Sequence, residues 1–314
     1  MKNETQNQIL SASIIISALI IAGAWIYTAD FKSSNMKPVE IQRKTNISMD
    51  ESDEGVILPV RWGDLGAKLV SVGVIDADKF KAIYNQKRDF TNEYETLLLG
   101  QNNGNLKITK GNAGYLLNLF WALGLANKNP ILDYGEMTNS QYGGAQNFAL
   151  TAGWTISQGD SMDHYSRHKF FNLTDGQQAL INKISKGIYR PCCDNSTYFP
   201  DCNHGMAMLG LLELMASQGA SEDDMWKTAL AVNSYWFPDA YLTIATYMKD
   251  RGVKWEDVDP REILGVDYSS ASGYGRIASQ VSRPRQQQGG NSCGVDAGQI
   301  QTAKPQQQQS GCGI

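Results

Sequence analysis

Histidine and cysteine are scarce in this chain, 3 and 5 among 314 residues. Charge is scarce too: 19% of residues are charged and the net charge is −4, so no basic field exists to hold a nucleic-acid backbone. No nucleic-acid motif, phosphate-cradling glycine loop or dinucleotide fingerprint occurs, and a nucleic-acid partner is not expected. Strand signals are also missing: the chain carries no series of alternating apolar runs and no internal repeat. These gaps leave a mainly helical protein with very few side chains suited to metal or nucleophilic chemistry.

What is present divides the chain into four parts. Residues 5–29 carry no charge, and Ile9 to Tyr27 forms an apolar run about long enough to cross a bilayer as a helix, which needs ~20 residues. Trp25 and Tyr27 stand at its end, where amphipathic rings favour the interface. The rival reading is a cleaved signal peptide ending near Ala22-Gly23-Ala24. The sparse basic charge ahead of the run, Lys2 beside Glu4, argues for an anchor instead. Residues 1–28 are therefore expected to be an N-terminal membrane anchor, making the protein single-pass. Lys32, Lys37, Arg43 and Lys44 follow the run and, counted simply, would keep the large domain in the cytoplasm. Long C-terminal domains are exported largely regardless of such charge, so an extracytoplasmic domain is the expectation. Residues 29–57 read as a flexible linker with the acidic run Asp50 to Glu54, and residues 283–314 as a disordered Gln/Gly-rich tail holding Cys293 and Cys312.

Residues 58–282 are expected to form one helical globular domain of about eight or nine helices. Cap and stop residues mark several: Leu65 to Val72 ended by Gly73, a second after Asp76, a third from Thr91 to Leu99. Asn112 to Ala126 is apolar on most sides and reads as a central helix. Met162 to Phe171 reads as helix, followed by one opened at Asn172 or Thr174, one from about His204 to Gln218, and one after Ser221 running to Phe237. Pro238 opens another, and Asp259-Pro260 a short last one. Asn102 to Asn105 reads as a turn.

Every histidine, and every cysteine outside the tail, falls between positions 164 and 204. His164 and His168 are four apart, which on a helix places both on one face. Cys192-Cys193 and Cys202-Asn203-His204 flank a short loop whose ends can meet. Cys202 and His204 would then open the following helix, whose positive end favours thiolate. Thiolate and imidazole suit Cu or Zn, with Fe as a further candidate. The expected ligands are Cys192, Cys193, Cys202, His204, His164 and His168. Met206 and Met208 read as core packing. Asp160, Asp163, Asp194 and Asp201 read as cap and loop residues or as acceptors for the imidazole N–H groups.

The resulting reading is a membrane-anchored metal-binding protein for metal handling or electron transfer. The rivals are an exported thiol-disulfide oxidoreductase using Cys193 and Cys202, and an anchored interaction domain stapled by a disulfide or zinc. The sequence identifies no reaction and no protein partner.

Overall fold

The computed structural model describes residues 54–85, 90–148 and 153–281. The apolar run Ile9 to Tyr27, the linker up to Asp53 and the tail from residue 282 onward lie outside these, as do their two cysteines. No helix among the described residues is long and apolar enough to cross a membrane.

The described residues are mainly helical, with twelve α-helices and one small sheet. Strand β1 (Val56–Gly63) and strand β2 (Asn103–Ile108) pair antiparallel, Val56 opposite Ile108 and Gly63 opposite Asn103. Between them in sequence lie α1 (Leu65–Ser71), α2 (Ala77–Asn85) and α3 (Asn92–Leu99). Then come α4 (Ala113–Ala126), α5 (Pro130–Tyr134), α6 (Asp175–Gly187), α7 (Asn203–Ser217), α8 (Glu222–Trp236) and α9 (Pro238–Asp250). Three short helices finish the domain: α10 (Pro260–Ile263), α11 (Val266–Ser269) and α12 (Ala271–Ala278).

Local chemistry sets the boundaries. Thr91 caps α3 by accepting from the Tyr94 N–H. Thr174 and Gln177 form a reciprocal capping box on α6. The Ser221 hydroxyl caps α8 by accepting from the Asp224 N–H, and it donates to the Asp224 carboxylate rather than leaving that carboxylate to close a reciprocal capping box. Gly73 and Gly219 follow α1 and α7 at φ of +80° and +77°, where other residues are strained.

Helices α4 and α7 make the centre. Nearly every residue of α4 and all of α7 up to Ala216 is buried. Their backbones touch at Gly124 and Gly210: a Cβ on Gly210 would come within 2.5 Å of the Phe120 carbonyl oxygen. The two glycines thus let the helices approach closer than side chains permit, and this contact fixes where the N-terminus of α7 lies.

Glu213 on α7 is fully buried, accepts from the Asn129 side-chain amide, and is also approached by Asn127. Burial raises its pKa well above the ordinary glutamate value, against the pull of the two asparagines, so it is held as the neutral acid. A ring cluster of Phe80, Tyr84, Tyr94 and Tyr115 locks α2 and α3 onto α4, with Tyr94 and Tyr115 stacked at 3.8 Å.

The structure departs from the sequence reading in three places. The 102–105 turn is instead the start of β2, and β1 was not foreseen. Residues 162–171 are not a helix: a 3-10 turn at Ser161–Asp163 leads to turns and a bridge between Asn127 and His168. The chain also continues past Ile263 into two more helices, so helices outnumber the expected eight or nine, the extra ones being 4 to 8 residues long.

Candidate metal centre

The centre is built around an arginine. Arg190 follows α6 and is 1% exposed. Its Nε–H donates to Cys202 Sγ at 3.1 Å, and Nη1 donates to the Asn195 carbonyl at 2.8 Å. Its Nη2 donates to the Phe199 carbonyl at 3.2 Å and forms an ion pair with Asp201 at 2.7 Å. One planar fork therefore holds four points of the 190–202 loop at fixed separation, which a point-charge lysine would not do. Asn195 completes the frame by donating from Nδ2 to the other Asp201 oxygen at 2.8 Å. Gly205, one turn into α7, lies against the guanidinium: a Cβ there would be 2.5 Å from Nη2. The glycine in Cys202-Asn203-His204-Gly205 is thus the space Arg190 occupies.

Folding the loop this way brings three thiols together. The sulfurs of Cys192, Cys193 and Cys202 all lie within 4.8 Å of one another, and Cys192 and Cys202 are 3.7 Å apart. All three stand as thiols. Cys202 is fully buried, Cys193 nearly so and Cys192 half-buried. Cys202 is also the N-cap of α7, its sulfur accepting from the Gly205 N–H at 3.4 Å. Its pKa is lowered: the Cys192 thiol donating to it is the largest cause, with the Arg190 charge and His204 adding, against Cys193 and burial. Of the three, Cys202 is the thiol whose surroundings most favour ionisation. Burial alone would lower the pKa of Arg190, yet Cys202, Cys193 and Asp201 raise it and keep it charged. Asp201 is pushed up by burial and pulled back by Arg190.

The loop is tied outward as well. Ala271 donates its N–H to the Cys193 carbonyl at 2.9 Å, and Asp194 accepts from the Ser272 N–H at 2.8 Å. The first residues of α12 therefore rest on the thiol loop.

The imidazoles fall in two places. The set of potential ligand atoms within 4.8 Å of one another contains the three sulfurs and no imidazole nitrogen. His204 lies two residues beyond Cys202 in the first turn of α7, its ring 4.4 Å from that of Phe237, and its Nδ1 is buried without a hydrogen-bond partner. His164 and His168 pair with each other, Nδ1 to Nε2 at 3.1 Å, and His164 Nε2 meets the Gln158 carbonyl at 2.9 Å. Burial, His164 and Arg167 lower the pKa of His168. Of the four aspartates, Asp201 binds Arg190, Asp194 binds Ser272 and Asp160 caps the turn at Met162.

Sequence reasoning passed over Arg190. The residue opens the loop, but a single arginine among 28 basic residues gives no signal of its own. The clue was Gly205, the one small residue in the first turn of an otherwise crowded helix.

The fold and the centre define a class: a mainly helical protein whose three clustered cysteines can hold a metal ion. Comparison with known proteins adds no narrower assignment, since no family model, no curated protein and no solved structure matches the chain.

Proposed function

We propose that this is a membrane-tethered protein that takes up and hands on a soft metal ion, Cu(I) or Zn(II), through Cys192, Cys193 and Cys202. One observation carries the reading: three thiols from the two ends of one loop lie within 4.8 Å of one another. Two sulfurs bound to one zinc at ~2.3 Å with tetrahedral angles stand about 3.8 Å apart. Cys192 and Cys202 stand at 3.7 Å.

Handling fits better than a structural staple. Arg190, Asp201 and Asn195 already organise the loop by hydrogen bonds, so the ion is not needed to fold it. Cys192 is half-buried, which gives an incoming or departing thiol ligand access to the ion. The guanidinium offsets part of the thiolate charge that would otherwise accumulate in a buried site. His204, in the same helical turn as Cys202, is the candidate fourth donor. The apolar run Ile9 to Tyr27 would supply the tether.

A second reading has its own support. The Cys192 and Cys202 sulfurs lie 3.7 Å apart and the Cys202 pKa is lowered, the arrangement of a dithiol poised to form a disulfide. This pair replaces Cys193 and Cys202 as the redox candidate.

Elemental analysis of the full chain, purified under reducing conditions, separates the two. One equivalent of Cu or Zn that is lost in Cys202→Ser supports metal handling. A protein that binds neither ion yet cycles between dithiol and Cys192–Cys202 disulfide overturns it.

A further inference from the structure

We infer that His164 and His168 form a second metal site, open to solvent and suited to a borderline divalent cation such as Zn(II) or Cu(II). This goes beyond the thiol centre and does not depend on it.

The hydrogen bonds fix the tautomers. A carbonyl oxygen only accepts, so His164 Nε2 carries the proton that it donates to Gln158 at 2.9 Å. In the neutral ring the His164 Nδ1 is then a lone pair. His168 Nε2, 3.1 Å away, must supply the N–H between them. His164 is thus oriented as metal-binding imidazoles usually are: one nitrogen donates to a backbone carbonyl and the other presents its lone pair. Binding asks for transfer of the His168 proton from Nε2 to Nδ1 through solvent, with no net proton gained or lost, and for a turn of the rings so that both lone pairs point at the ion. Two imidazole nitrogens on one zinc, each ~2.0–2.1 Å from it at a tetrahedral angle, are about 3.3 Å apart. The pair needs to open by only a few tenths of an ångström.

The site is built rather than incidental. Ser166, midway between the two, has φ of +49°, the left-handed region unusual for serine. That reversal, not a helical face, brings the rings to 24° of parallel. Backbone bonds hold it: Ser166 to Leu125, His168 to Ala126, and Lys128 back to His168. His164 is 8% exposed and His168 is half-buried, so the remaining coordination positions face water. Arg167 beside them is exposed, and solvent screens its charge. Imidazole with water suits Zn(II), Cu(II) and Ni(II) better than Cu(I).

The test is a Zn(II) titration of the full chain against a chromophoric chelator, with Cys293 and Cys312 changed to Ser throughout. His168→Gln keeps a side-chain N–H for His164 Nδ1 and removes the ligand, so the fold is preserved; a thermal melt matching the parent checks this. The parent should bind two equivalents. H168Q should weaken one of them about tenfold or more, and C202S should remove the other. Two equivalents bound by H168Q with the parent's affinities would overturn the inference. A single equivalent lost in C202S and kept in H168Q also overturns it, while leaving the thiol centre standing. A single equivalent lost in H168Q and kept in C202S supports it and sinks the thiol centre instead.

Discussion

Arg190→Met is the most informative single change to the loop. It keeps an apolar stem of similar length and removes four donated contacts: to Cys202, Asn195, Phe199 and Asp201. Removing one partner of a buried ion pair costs about 3–5 kcal/mol. Each carbonyl left dry adds ~1–3 kcal/mol, but Asn195 and Phe199 are half-buried and water recovers part of that. Asp201, whose pKa burial already raises, can also take a proton and so limit the loss. The net expectation is about 4–6 kcal/mol, a large share of the roughly 5–15 kcal/mol that holds a domain together. For a domain of this size that is a fall in Tm of about 10–20 °C. Urea unfolding followed by circular dichroism measures it, with Arg190→Lys as control. The lysine keeps the charge but cannot span the fork, and should fall between the two. If R190M unfolds within about 1 kcal/mol of the parent, the arginine does not organise the loop.

Three further outcomes follow from the same geometry. Gly210→Ala should cost about 1–3 kcal/mol by urea unfolding, because its Cβ meets the Phe120 carbonyl and the Gly124 backbone, which cannot move aside without parting α4 from α7. Cys202→Val should lose about 0.5–2 kcal/mol of stability, whereas Cys202→Ser, which still caps α7, should lose little while removing the metal ion of the thiol centre. Stability should also fall as pH rises above the ordinary glutamate range. The folded state holds the Glu213 proton to a pH well above that at which the unfolded chain releases it, so in that window the native state binds more protons. Glu213→Gln should make the decline in urea midpoint shallower; equal slopes in the two proteins would refute the neutral-acid assignment.

Much of the helical frame was legible because its signals are local. Asp76, Thr91, Thr174, Ser221 and Asp259 each announced a helix by the cap they provide. The strands were less so. In β1, Leu58, Val60 and Trp62 alternate inward, but Pro59 and Arg61 between them mask a run of only 8 residues. In β2 the Asn-Gly-Asn start resembles a turn because its stability comes from its partner and from Asn103 donating to the Gly63 carbonyl, neither visible nearby in sequence. The imidazole spacing was read on a helical premise that tertiary contacts overrode: Ser166, Arg167 and His168 donate their N–H groups to the end of α4. The rings nevertheless met, for a different reason. At the thiol centre, residue scarcity pointed to the right window, and the three cysteines did converge. The buried guanidinium that makes them converge could not be read, since nothing in the chain distinguishes Arg190 until its partners are folded around it.

The most direct test of the thiol centre is the thiolate-to-metal charge-transfer absorption on adding Cd(II) to the full chain with both tail cysteines changed to Ser. The band should saturate at one equivalent, and Cys192→Ser and Cys193→Ser should each lower it by about one third, since three sulfurs share the ion. A band that Cys193→Ser leaves unchanged, or that never forms, would contradict a three-thiolate metal centre.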